Sequence, residues 1–156
     1  MNANVMQLLK AYNAFNNRGR ILQPYFVERL IDMHGNIESL TPEGSTQVIS
    51  TATAQRMKKI LIKTVNEGTG VGTITPGLEV GGKTGTAHIA ERGRYVNKYN
   101  TSFFGFANDK KSNYTIGVTV VQPRKNHFAS LTAVPTFKKI VDLLVEFDYL
   151  EPKVVN

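Results

Sequence analysis

Gly77-Leu78-Glu79-Val80-Gly81-Gly82-Lys83-Thr84-Gly85-Thr86-Ala87 is the stretch whose conformation decides the fold. Two incompatible readings share its lysine. Residues Gly77–Thr84 match the P-loop pattern G-x-x-x-x-G-K-[ST] at every position, which implies a nucleotide-binding module. Read from the lysine onward, Lys83-Thr84-Gly85 is a Lys-Thr-Gly box, which implies an extended strand beside a cleft. The neighbouring residues separate the two.

A P-loop needs a buried strand before it and a helix after it, because the helix N-terminus and loop amides hold the phosphates. Upstream stand Thr73-Ile74-Thr75-Pro76, polar and broken by proline. Downstream stand Gly85-Thr86-Ala87-His88-Ile89, poor material for a first helical turn. No strand ends cleanly in a magnesium-binding Asp: Thr115–Val121 runs into Gln122, and Asp109 follows Asn108 inside a turn. An extended Lys83, by contrast, presents its ammonium as a point charge for a carboxylate. Thr84 and Thr86 add hydroxyl donors, and Gly85 removes a side chain so that a ligand can lie against the backbone. The plain alternative is an edge strand with one surface lysine.

Working outward, Val80–Ala90, Thr101–Ala107 and Tyr114–Gln122 are rich in β-branched and aromatic residues. The last two are joined by the polar turn 108–113, which predicts antiparallel neighbours. Val5, Leu8, Leu9, Tyr12 and Phe15 recur at helical spacing up to Asn16-Asn17-Arg18-Gly19. That helix starts with no evident cap, as at a truncation boundary. Phe26–Asp32 and Asn36–Ser39 predict a small hairpin about Gly35. Ser50 or Thr51 caps a helix carrying Met57, Ile60, Leu61 and Val65, which Gly68 ends. Pro135 opens a last helix with Phe137, Ile140, Val141, Leu144 and Phe147 on one stripe. The expected class is α+β: a three-stranded antiparallel sheet packed by helices, plus a small hairpin.

The 156 residues suffice for one core, and 41% hydrophobic with 20% charged residues argues against wholesale disorder. With no cysteine, a disulfide scaffold and a thiolate zinc site are excluded. The formal charge of +7 favours anionic partners without naming one. The start of the chain has neither the basic nor the apolar part of a signal peptide, and its apolar runs are too short to span a bilayer. His34, His88 and His127 fall in turn, strand and loop without metal-ligand spacing, so no metal or cofactor is expected. Arg92, Arg94 and Lys98, with Tyr95 and Tyr99 between them, read as a solvated loop rather than a nucleic-acid surface. Lys58, Lys59 and Lys63 read as the wet face of their helix.

An ordered set of segments resembles the C-terminal half of the transpeptidase domain of class B penicillin-binding proteins, the peptidoglycan D,D-transpeptidases. Met6–Gly19 resembles the helix after that family's second motif, and Pro24 with the Asp32–Gly35 turn its hairpin. Glu67-Gly68-Thr69-Gly70 resembles the glycine-rich lead-in, Gly82–Ala87 the third motif, and Ser102–Ala107 the strand that follows. Asn4-Val5 stands where the family usually has Thr-Pro, and Asn108 where it often has Pro. Residues 1–156 are thus expected to be one incomplete domain with a partial penicillin-binding/β-lactamase-like fold.

The family's Ser-x-x-Lys and Ser-x-Asn motifs do not occur in this sequence. The resemblance implies an enzyme that attacks D-Ala-D-Ala stem peptides through an acyl-serine and is stalled by β-lactams. It implies that Lys83 is the catalytic-site lysine and that Lys83, Thr84, Gly85 and Thr86 bind substrate, the Thr86 N–H serving in the oxyanion hole. The nucleophile would come from the missing N-terminal half, so the chain alone is expected to be inactive and marginally stable or oligomeric. The parent would work on the periplasmic face of the bacterial inner membrane, in division or elongation.

Overall fold

Asn4 is a helix cap after all. In the computed structural model, which describes residues 3–154, its side chain accepts from the Gln7 N–H at 2.9 Å while its own N–H donates to Gln7 Oε1 at 2.9 Å. This reciprocal pairing corrects the uncapped start expected from the sequence and begins α1 (Val5–Asn16). Four short strands follow: β1 (Arg20–Leu22), β2 (Arg29–Ile31), β3 (Ile37–Ser39) and β4 (Ser45–Gln47). β2 and β3 form the expected hairpin, shorter than its apolar flanks suggested. Asp32 shapes its turn by accepting from the His34 and Asn36 N–H groups. β1 pairs with β4 across that hairpin, a contact the sequence did not announce.

Ser50 caps α2 (Thr51–Glu67) by accepting from the Thr53 N–H, and Gly68 closes it. Ala54, Leu61 and Val65 are its buried residues, whereas Ile60 is mostly exposed. Lys58 is not on the wet face: it pairs with Glu79 at 2.6 Å and lies over the Phe106 ring. A 3-10 turn at Val71–Thr73 leads to β5 (Glu79–Glu91), β6 (Arg94–Asn108) and β7 (Asn113–Val121). They form one antiparallel sheet in the order β5-β6-β7.

The basic stretch is a β-ribbon rather than a loop. Arg92 and Gly93 both take positive φ, 51° and 76°, and Glu91 pairs with Arg94. That is the two-residue turn whose twist matches antiparallel strands. Lys98 then pairs back to Glu91 at 2.7 Å. β6 pairs with β7 only from Asn100 onward, so the outer part of the ribbon is two-stranded.

Adjacent phenylalanines show how the sheet is sandwiched, since neighbouring side chains on a strand point to opposite faces. Phe103 meets Phe137 of α3 (Ala133–Glu146) with ring centroids 4.6 Å apart. Phe104 meets Tyr12 of α1 at 5.8 Å. The larger cluster lies under α3, where Val65, Val80, Phe103, Val118, Phe137 and Val141 are buried together. On the α1 side, Asn16 and Asn108 bond reciprocally through their amides, and Asn108 also donates to Glu79 at 3.0 Å. That network ties α1, the end of β6 and the start of β5 in one register.

Candidate active-site strand

Lys83 lies within β5, an edge strand of its sheet. Residues 83–86 pair with Phe104, Phe103, Ser102 and Thr101 in turn. The lysine runs on in extended strand to Glu91 instead of entering a helix, and Gly77 follows a 3-10 turn, not a strand. The P-loop reading therefore fails. Gly77 has another physical reason: it holds φ at +82° in a turn where an added Cβ would sit 2.4 Å from the Lys153 carbonyl oxygen. Its own carbonyl accepts from the Lys153 N–H at 3.0 Å. The glycine that completed the phosphate-binding pattern belongs to a turn docked on the C-terminal tail.

Lys83 is exposed, and its ammonium donates to the Thr84 carbonyl oxygen at 3.1 Å and to Thr84 Oγ1 at 3.3 Å. Thr84 Oγ1 also meets Thr69 Oγ1 at 2.6 Å. Thr69 comes from the link between α2 and the 3-10 turn, and it was not singled out by sequence beyond its place in the glycine-rich lead-in. Thr86 is exposed on the same strand; behind it, its partner Thr101 is buried and bonds Thr132 Oγ1 at 2.7 Å. The structure thus gathers Lys83, Thr84 and Thr86 on one open strand and adds Thr69.

Gly85 is also required by the packing of the sheet itself. A Cβ there would lie 2.6 Å from Ser102 Oγ on β6, so the serine hydroxyl fills the space a side chain would need. Further along, His88 packs on Tyr99 with ring centroids 4.3 Å apart, and His127 reaches the same tyrosine at 4.9 Å. His34 stays apart in the β2–β3 turn. At the other end of β5, burial opposes ionisation of Glu79, yet the Lys58 ammonium and the Asn108 amide outweigh it and hold the carboxyl below its usual range.

An exposed ammonium beside a threonine hydroxyl on an open β edge supplies charge and a directional donor together, chemistry that suits a carboxylate. Residues 1–142 match the penicillin binding protein transpeptidase domain family. The chain belongs to that family. It is similar to the "Probable peptidoglycan D,D-transpeptidase PenA" of Neisseria flavescens, with 31% identity over 140 residues covering 88% of this chain and 32% of that protein. Stage V sporulation protein D of Bacillus subtilis is 32% identical over 140 residues, covering 87% of this chain and 22% of the relative. Among solved structures, penicillin binding protein 3 of Mycobacterium tuberculosis superposes with a TM-score of 0.84 at 25% identity, covering 97% of this chain and 36% of that one.

This chain of the family therefore spans between 22% and 36% of the length of these relatives. Its α+β architecture, with the antiparallel sheet between helices, is that of their transpeptidase domains. Among the described residues no helix is long and apolar enough to cross a membrane.

Proposed function

We propose that this chain, the C-terminal half of a transpeptidase domain, forms one wall of the active site of a peptidoglycan D,D-transpeptidase. Lys83, Thr84 and Thr86 hold the terminal carboxylate of a D-Ala-D-Ala stem peptide or of a β-lactam, and the Thr86 N–H serves as an oxyanion donor. The serine nucleophile and its lysine come from the remainder of the domain. In the reaction, the serine oxygen attacks the penultimate D-Ala carbonyl, and terminal D-Ala leaves as the acyl-serine forms. An amine of a neighbouring stem peptide then takes the acyl group and returns the serine. The parent protein would act on the outer face of the bacterial inner membrane.

The observation that carries this reading is the open strand β5 with Lys83 exposed on it and its ammonium against Thr84. The solved relative from Mycobacterium tuberculosis complexed with ampicillin, 25% identical and superposing with a TM-score of 0.84, supports β-lactams as ligands. The test is labelling with a fluorescent penicillin. The complete domain is expected to label and the isolated chain to remain unlabelled. Lys83→Ala in the complete domain is expected to lower the labelling rate about 100-fold, the scale of losing a key electrostatic group. Parental labelling of that variant would remove Lys83 from the site.

A further inference from the structure

We infer that Thr69 is a positioning residue that aims the Thr84 hydroxyl proton at the substrate carboxylate; this rests on the carboxylate-binding reading of β5 given above.

A threonine hydroxyl has one proton to give and two lone pairs to accept with. Two groups already face Thr84 Oγ1: the Lys83 ammonium at 3.3 Å and Thr69 Oγ1 at 2.6 Å. The ammonium only donates, so it takes one lone pair. Thr69 decides the rest. When its hydroxyl donates, both lone pairs of Thr84 are filled and the Thr84 proton is free to point into the cleft. When it accepts instead, the Thr84 proton is used up and the carboxylate loses a donor. An anion at the cleft favours the first arrangement, because a hydrogen bond to a charged acceptor is about twice as strong as a neutral one. The chain Thr69 to Thr84 to carboxylate then runs in one direction, each bond polarising the next.

Thr69 is held for this task from both sides. Before it, Gly68 closes α2, and its carbonyl accepts from the Val71 N–H at 3.3 Å. After it, Gly70 is buried, and its carbonyl accepts from both the N–H and the hydroxyl of buried Thr73, at 2.9 and 2.8 Å. Thr69 belongs to no strand, so the site hydroxyl takes its direction from a second element of the fold.

The experiment measures the second-order rate of fluorescent-penicillin acylation in the complete transpeptidase domain that contains this chain. Thr69→Val keeps the shape and removes the hydroxyl; it is expected to slow acylation about tenfold, the scale of one charge-assisted hydrogen bond. Thr69→Ser, which keeps the hydroxyl, is expected to restore the rate. Thr84→Val is expected to be slow as well, and adding Thr69→Val to it to slow it no further. Thermal midpoints of the single variants separate a folding defect from this effect, and the serine variant keeps the comparison valid where valine disturbs the turn. Unchanged acylation in Thr69→Val beside a slow Thr84→Val overturns the role of Thr69 alone, as does an additive loss in the double variant. Unchanged acylation in Thr84→Val as well overturns the carboxylate-binding reading beneath it.

Discussion

Asn16 and Asn108, 92 residues apart, hold each other through both halves of their amides, at 2.7 and 3.1 Å, while buried. Buried amides are costly to leave unpaired, so the pair fixes the end of α1 against the start of the β5–β6 ribbon. Asn16→Ala is expected to destabilise the fold by about 1–3 kcal/mol, because the buried Asn108 side-chain carbonyl loses the donor it accepts from. Removing both amides is expected to cost less than the sum of the two single losses. Denaturant midpoints of the four proteins check this.

Gly85 and Ser102 compete for one volume. Gly85→Ala is expected to cost about 1–3 kcal/mol through overpacking against the serine hydroxyl. Ser102→Ala removes that oxygen and leaves its Cβ 3.9 Å away, an ordinary contact. The double variant is therefore expected to regain most of the stability lost by Gly85→Ala, read from thermal unfolding of the same four-protein cycle.

Acid is expected to weaken the end of the site strand. Glu79 ionises below its ordinary value of 4.5 when folded, so its contribution is present above that pH and fades as pH falls through the lower folded value. Asp32 and Asp109 are shifted in the same direction, by hydrogen bonds that favour their charged forms. Stability should fall below about pH 4.5. Glu79→Gln is expected to make that fall shallower without abolishing it, as measured by chemical denaturation from pH 3 to pH 7 (about the range of interest).

The tip of the ribbon offers a local test. Gly93 at φ 76° follows Arg92 at 51°, and a side chain at Gly93 carries the left-handed penalty of about 1–2 kcal/mol. Gly93→Ala is expected to speed amide exchange in the two-stranded part of the ribbon, residues 88–99, while pairs between β6 and β7 keep their protection. Gly93→Asn is expected to disturb it less, because asparagine tolerates that region.

Much of this was legible where a local pattern is long. The helices around Leu61 and Phe137, the Ser50 cap, the β2–β3 hairpin and the strand through Lys83 all followed from spacing and residue type. The β1–β4 pair did not, because each strand is three residues long and its partner lies across the hairpin. Arg92-Gly93 hid a tight turn, since arginine is an unusual residue at positive φ and charge made the stretch look like a loop. Lys58 does not face water as its place on the helix suggested, because it pairs with Glu79 and folds over the Phe106 ring. Thr69 became visible only when the fold brought a link residue within reach of β5.

The two long strands outrun the third, and this divides β5 into a braced part and a two-stranded part. Around Lys83 and Thr84 the backbone is bonded to β6, which is itself bonded to β7 and packed between helices on both faces. Beyond Ala87, which pairs with Asn100, β5 continues beside a β6 that has no other neighbour. On the reading proposed for β5, a ligand with a bulky side group would press the two-stranded end aside without loosening the hold on its carboxylate, so that one continuous strand would serve both tolerance and firmness.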